Sequence, residues 1–316
     1  MINVLVTGVG AIIGYGIIGS LRQIKNKDIR IIGMDIYDDA YGKFICDSFH
    51  KAVLAYSDEY PSFIRELVAN EKIDLIIPGI EQDMYRLNEI KSEIPTKIVL
   101  NNDLLIDISK DKLNTFNFFK DKGINLIPTL YLKDFDTYKQ ELGIPFLLKP
   151  RSSYASKGIH KIHNKEEFDY YNLSPENYIF QRIVGSDTDE YTVSVFGDGS
   201  GGFDDMIMMK RKLAQTGATD KAEVILLDNE IEPYVKLIAS LTKPLGPTNI
   251  QLRKENGLVY LLEINPRISS ACSIRTAAGY NEPEKCIALY LEGKHLPSEE
   301  KRPIHSIRYI ADYIYE

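Results

Sequence analysis

The 316-residue chain predicts a parallel α/β unit over its first third and a mixed, hairpin-rich α+β region beyond it. Two observations carry this. Short apolar runs alternate with helical patterns up to about residue 102, and after residue 123 the pattern changes to paired runs joined by Gly/Asp/Asn turns.

Taken in order, residues 2–7 (INVLVT), 29–34 (IRIIGM), 73–77 (IDLII) and 96–100 (TKIVL) read as short buried strands. Helical patterns near 17–26, 59–70 and 83–92 separate them, which implies a parallel, Rossmann-like sheet with helices on both faces. A helix over 110–122 stops at Gly123. "IPFLLKP" (144–150) is a strand, followed by a loop of small residues, the strand "GIHKI" and the strand "NYIFQRI" (177–183). "YTVSVFGDGSGGFDDMIMMKRK" predicts one hairpin. A helix near 230–243 leads to a second, "TNIQLRKENGLVYLLEINPR", turning at Glu255-Asn256-Gly257.

Composition narrows the function. The chain is 44% hydrophobic and 26% charged, as expected of a globular protein, and no apolar run approaches the roughly 18 residues of a membrane span. The N-terminus has no basic leader region, so a cytoplasmic location is expected. A net charge of −7 lacks the basic footprint of a nucleic-acid binder, which leaves a small molecule as the expected partner. Cys46, Cys272 and Cys286 are odd in number and far apart, so neither a disulfide frame nor a Cys-x-x-Cys metal site is indicated. His160 and His163 read as strand-edge residues.

"TGVGAIIGYGIIGS" resembles a dinucleotide turn, with Gly8 and Gly10 placed after the first strand and Asp35 ending the second. Ile13, however, stands where the third glycine belongs, and Gly14 follows one residue late. Tight packing of the first helix on the sheet is the preferred reading. An NAD(P)-dependent oxidoreductase using this turn is an alternative, as is a non-catalytic ATP-binding module.

In "FLLKPRSSYASKG", Lys149 ends an apolar strand before a hydroxyl-rich loop that closes at Gly158. Such a loop offers backbone N–H groups to phosphate oxygens, with the lysine as a point charge. Lys112 opens a helix upstream; "IFQRIVGSDTDEYTVSV", "NIQL" and "LLEINPR" follow downstream. In this order the motifs resemble the ATP-grasp superfamily, in its carbamoyl-phosphate-synthetase-like carboxylate–amine ligase branch. The resemblance covers roughly residues 105–295. It implies a pre-ATP-grasp domain over 1–105, a small lobe with the phosphate loop over 106–184 and a large lobe with the metal site over 185–316.

The opposed periodicity of "LLEINPR" then makes chemical sense. In a strand, Glu263, Asn265 and Arg267 share one face, with Leu262 and Ile264 on the other. Glu263 and Asn265 supply a carboxylate and an amide oxygen, Gln251 on the paired strand adds a third oxygen, and magnesium suits such a set. Manganese is an acceptable substitute. Arg267 follows as a bidentate holder of a phosphoryl oxygen. The resemblance implies the same roles, and further ones. Gln181 meets the adenine amine beside the backbone of Ile183, and Glu190 holds the ribose hydroxyls. Arg211 lies near the transferred phosphoryl group or the substrate carboxylate. Lys112, Lys149, Ser153, Ser156 and Gly158 hold ATP phosphates, and the loop at 151–158 closes over them.

Two departures from the family pattern stand out. Only one glycine, Gly158, lies in the phosphate loop, and Ser194 stands where many relatives carry an acid. The implied activity is ATP-dependent joining of a small-molecule carboxylate to an amine or thiol through an acyl phosphate, releasing ADP and phosphate. A homodimer is the assembly left open.

Overall fold

The computed structural model describes residues 1–152, 158–172, 174–186, 188–214, 219–309 and 311–315. The first sheet is wholly parallel. Its strands are β1 (Ile2–Thr7), β2 (Ile29–Asp35), β3 (Ser48–Lys51), β4 (Leu75–Ile77) and β5 (Lys97–Ile98), in the order β3-β2-β1-β4-β5. Helices α1 (Ile12–Leu21), α2 (Tyr60–Glu71) and α3 (Glu81–Ile90) provide the crossovers. The apolar strands serve both faces. Leu5, Ile32 and Ile76 pack under α2 and α3, whereas Val4, Val6, Ile31 and Leu75 pack under α1.

Helix α1 begins five residues before the predicted 17–26. Gly14, Gly16 and Gly19 argue against a helix by propensity, but packing wins. A Cβ at Gly14 would lie 2.4 Å from the Gly8 carbonyl oxygen, so only glycine lets the helix start this close to the β1 turn. Asp35 completes the turn. One carboxylate oxygen accepts from the Gly10 N–H at 2.7 Å and the other from the Tyr37 N–H at 3.1 Å.

The predicted helix over 110–122 is α5 (Lys112–Phe119), and a short helix the sequence reading did not include, α4 (Asp103–Ser109), precedes it. Side-chain caps separate them. Asn102 accepts from the Leu105 N–H and Asp111 from the Leu113 N–H. The next sheet is antiparallel, with β6 (Thr129–Leu130), β7 (Phe146–Pro150), β8 (His160–Ile162) and β9 (Tyr178–Arg182) in the order β6-β9-β7-β8. It is covered by α6 (Phe135–Leu142) and α7 (Lys165–Tyr171) around an aromatic core of Tyr138, Phe146, Phe168 and Phe180. At its edge His160 stacks on Tyr171 and His163 bonds Glu167.

The third sheet is built from both predicted hairpins. Strands β10 (Glu190–Asp198), β11 (Phe203–Leu213), β12 (Thr219–Ile225), β13 (Leu245–Glu255), β14 (Leu258–Asn265) and β15 (His305–Ile307) run in the order β14-β13-β10-β11-β12-β15. Helix α8 (Ile231–Thr242) covers one face together with α4 and α5, through Ile231, Val235, Leu105 and Phe119. Helices α9 (Cys272–Ala277) and α10 (Glu282–Glu292) lie towards the first sheet, where Cys272, Cys286 and Ile287 share the core of α1. Three sheets thus converge on one space. No helix among the described residues is long and apolar enough to cross a membrane.

Candidate active site

A cavity of about 1110 Å³ lies where the three sheets meet. It exceeds the roughly 300–1,000 Å³ usual for one small-molecule ligand. Lys112, Lys149, Ile183, Glu190, Arg211, Gln251, Glu263, Asn265 and Arg267 all line it. Widely separated stretches of sequence therefore reach one space.

The β13–β14 pair sets out the carboxylate and amides. Gln251 stands directly across from Glu263, and Asn249 from Asn265. Strict alternation is broken here. The register shifts between Gln251 and Leu252, so Leu261 pairs with Leu252 and Leu262 is the extra residue. Leu262 accordingly lines the cavity beside Glu263, while Leu261 and Ile264 stay in the core. The expectation that Leu262 faces away with Ile264 is corrected by this bulge.

Burial, and next the opposing positive charge of Lys112, act on Glu263. Burial dominates and raises its carboxyl above the usual range. The Asn265 side-chain nitrogen is buried without a partner, and its oxygen accepts from Arg267 at 3.2 Å. Among the described residues no three His, Cys, Asp or Glu side chains form a metal set. A divalent ion here would therefore draw on amide oxygens as well as carboxylate. Gln251, Glu263 and Asn265 offer that combination, which fits a hard, oxygen-seeking ion such as magnesium.

Lys149, one residue before the end of β7, is almost fully buried, and burial lowers its ammonium to about 8 despite the nearby Glu263. A buried cation at a cavity wall is suited to an incoming anion. Lys112 begins α5, whose start is tied to the loop after β7. The Lys112 N–H donates to the Arg151 carbonyl at 2.9 Å, and the Arg151 guanidinium donates to Asp111. The Ser152 hydroxyl donates to the Lys110 carbonyl. Ser153 and Ser156 lie outside the described residues. Gly158 has φ of +75°, and a Cβ there would meet Pro150 at 2.9 Å.

Glu190 occupies a central strand between two cross-strand arginines. Arg211 donates twice to one of its oxygens, at 2.7 and 3.0 Å, and Arg253 donates to the other at 3.0 Å. Gln181 is placed differently from the other expected residues. Its amide nitrogen donates to the Thr129 hydroxyl at 2.9 Å, and it lines a small adjoining pocket with Lys112 and Glu263 rather than the main cavity. Ile183, just beyond β9, does reach the main wall.

Sequence reading missed Asn249, Arg253 and Glu81. The first two carried a signal, since 249, 251 and 253 alternate along one strand face. Glu81 carried none, because it comes from α3 of the first sheet and pairs with Arg267. Behind Asn249 lies a buried network. Arg275 donates to the Asn249 oxygen at 2.6 Å and to Thr192 at 3.1 Å, and lies 3.4 Å from Glu282. The Ser194 hydroxyl donates to Glu282 at 2.6 Å, so an acid from α10 stands beside this strand position.

A family model described as "ATP-grasp in the biosynthetic pathway with Ter operon" matches residues 187–313. The chain superposes on N5-carboxyaminoimidazole synthetase from Staphylococcus aureus with a TM-score of 0.75 and 18% identity, over 95% of this chain and 80% of that one. Residues 187–313 thus match an ATP-grasp family, and the chain as a whole has the fold of this solved structure. Biotin carboxylase from Campylobacter jejuni, another structural neighbour, gives a TM-score of 0.72 at 17% identity, over 94% of this chain and 72% of that one. In sequence, this chain is 27% identical over 188 residues to the carbamoyl phosphate synthase large chain of Pseudothermotoga lettingae. It is also 27% identical over 166 residues to the formate-dependent phosphoribosylglycinamide formyltransferase of Prochlorococcus marinus. The matches cover 55% and 49% of this chain but only 17% and 40% of those relatives.

Proposed function

We propose that this protein is an ADP-forming ATP-grasp ligase that joins a carboxylate to an amine, or to a thiol, through an acyl phosphate. The observation that carries the reading is the cavity itself. One wall brings Lys149, Lys112 and Arg211 to the same space as Gln251, Glu263 and Asn265. Three cations suit a polyphosphate, and the oxygen set suits its metal.

Hydroxide is too poor a leaving group for an amine to displace from a carboxylate at neutral pH. Moving the ATP γ-phosphoryl to the carboxylate oxygen forms a P–O bond and breaks the bond to ADP. Attack by the amine nitrogen then expels phosphate. Phosphoryl transfer asks the protein mainly for positioning and charge neutralisation. Lys149, Lys112 and Arg211 would hold phosphate oxygens, and Arg267 would hold the transferred group. The backbone of Ile183 would meet the adenine, with Glu190 at the ribose. Gln251, Glu263 and Asn265 would hold magnesium or manganese, whose charge favours a loosening phosphoryl group.

The dinucleotide alternative lacks the third glycine of its phosphate turn, where Ile13 stands. The test is an ADP-release screen with magnesium and ATP against pooled carboxylates paired with pooled amines and thiols. Release that requires one acid and one nucleophile, with phosphate formed in equal amount, supports the reading. Tight binding of NADH with no binding of ATP would sink it.

A further inference from the structure

The lining of the cavity divides by element into two chemically distinct sets. All its lysines and arginines come from residues beyond 110, on the second and third sheets and the segments between them. The wall supplied by the first sheet is different. Ile12 and Ile13 at the start of α1, Ile36 after β2, Leu54 and Tyr56 after β3, and Ile80 before α3 line it. Among the described residues, this wall carries no lysine or arginine. Glu81 is its one charged group, and Arg267 neutralises it. Leu54 and Tyr56 are 65% and 64% exposed, and Ile12 and Ile36 are also open to water.

Large apolar side chains gathered at the mouth of a reactive cavity are unfavourable in water unless something covers them. The space is larger than one nucleotide-sized ligand needs, and the cations that suit a nucleotide come from the other two sheets and the segments beside them. We propose that the first-sheet wall is the acceptor subsite, and that it takes a compound with an apolar or aromatic body bearing the reacting carboxylate or amine. The wall offers a sugar phosphate's dianion no cation of its own, and the adjoining Arg267 is already paired with Glu81, so burying the dianion there is costly. An aromatic amino acid or arylalkyl acid or amine loses apolar surface to Leu54, Tyr56 and Ile36, while its polar end points towards Arg267 and Glu81. This assignment rests on the ligase reading for what the cationic set binds.

Ligand-detected saturation-transfer NMR on the whole chain tests it. The probes are L-phenylalanine, hydrocinnamate and phenethylamine, set against ribose phosphate and phosphoethanolamine, each with and without magnesium and the ATP analogue AMP-PNP. The expected result is ring-proton transfer from at least one phenyl probe, retained when AMP-PNP is bound. Leu54→Asp and Tyr56→Ala should each weaken it by roughly ten-fold, the effect of losing about one side chain of apolar contact. Both residues are exposed, so folding survives, and unchanged AMP-PNP affinity verifies it. Displacement of the phenyl probes by AMP-PNP, indifference to both variants, or tighter binding of the phosphorylated probes overturns the assignment. Absence of phenyl binding while AMP-PNP binds overturns it too, and leaves the ligase reading standing. Variant-sensitive phenyl binding without any AMP-PNP binding supports the apolar subsite and removes the nucleotide reading instead.

Discussion

Arg267, two residues beyond the end of β14, is ion-paired with Glu81, the first residue of α3. The pair joins the third sheet to the first across the cavity, and the same guanidinium reaches the Asn265 oxygen. Glu81 thus balances a cation that would otherwise stand close to the oxygen set. It also fixes where that cation points.

Glu81 is therefore expected to act through Arg267. Glu81→Gln keeps the size and one oxygen but releases the guanidinium, and ADP release should fall by about ten-fold. In an Arg267→Ala background the same change should cost nothing further. Steady-state assays of the four proteins form the cycle, and additive losses would show that Glu81 works independently.

Lys149 gives a pH signature. Burial lowers it to about 8 from an ordinary 10.5, so between those values the unfolded chain binds more protons. The burial penalty is fully present below about 8, and stability gains from this group as pH rises from about 8 to 10.5. Phosphates at the cavity wall should restore the proton. Binding of AMP-PNP with magnesium is expected to take up about half a proton at pH 8 and almost none at pH 6.5. Calorimetry in buffers of differing ionisation enthalpy measures this uptake. Lys149→Met should abolish it and weaken nucleotide binding by about 1.5–3 kcal/mol. Uptake that persists in the variant would place the titrating group elsewhere.

Much of this site was legible because its chemistry is local in sequence. Glu263, Asn265 and Arg267 sit within five residues, and Lys149 stands near the end of a strand that its apolar neighbours announce. What escaped is set by packing between sheets. Nothing near Glu81 says that α3 will face Arg267. Helix α1 starts earlier than its apolar pattern suggests, because the tight approach of Gly14 to the Gly8 carbonyl is set by how the helix packs on the sheet and not by propensity. The bulge at Leu262 is equally hidden, since period-two alternation has no way to mark an inserted residue. Arg275 is the extreme case. It reads as an ordinary helical arginine and is fully buried.

That burial makes Arg275 a stability element with a clear sign. Arg275→Met leaves Glu282 buried beside Ser194 without its cation and frees the Asn249 oxygen of its strongest donor. A loss of about 3–5 kcal/mol is expected in urea unfolding. Adding Glu282→Gln removes the stranded charge and should recover part of it. A single variant as stable as the wild type would mean that the network contributes nothing net.

The sharpest test concerns Glu263, opposite Gln251 on the paired strand. The carboxyl is buried and raised above its usual range, so its charge is costly without a cation close by. Glu263→Gln removes that cost and keeps the shape. Folding should survive or improve slightly, and nucleotide should still bind through Lys149 and Lys112. Turnover is expected to fall by about 100-fold or more, because charge that offsets a metal matters most as the phosphoryl group loosens. Asn265→Asp should part company with it. The change keeps an oxygen donor and adds charge beside Arg267, so magnesium should bind as well or better while the charge balance at the transferred group is disturbed. Titrating magnesium and manganese against ADP release in both variants separates the two effects. If Glu263→Gln turns over like the wild type once a substrate pair is known, Glu263 is only the polar side of an edge strand.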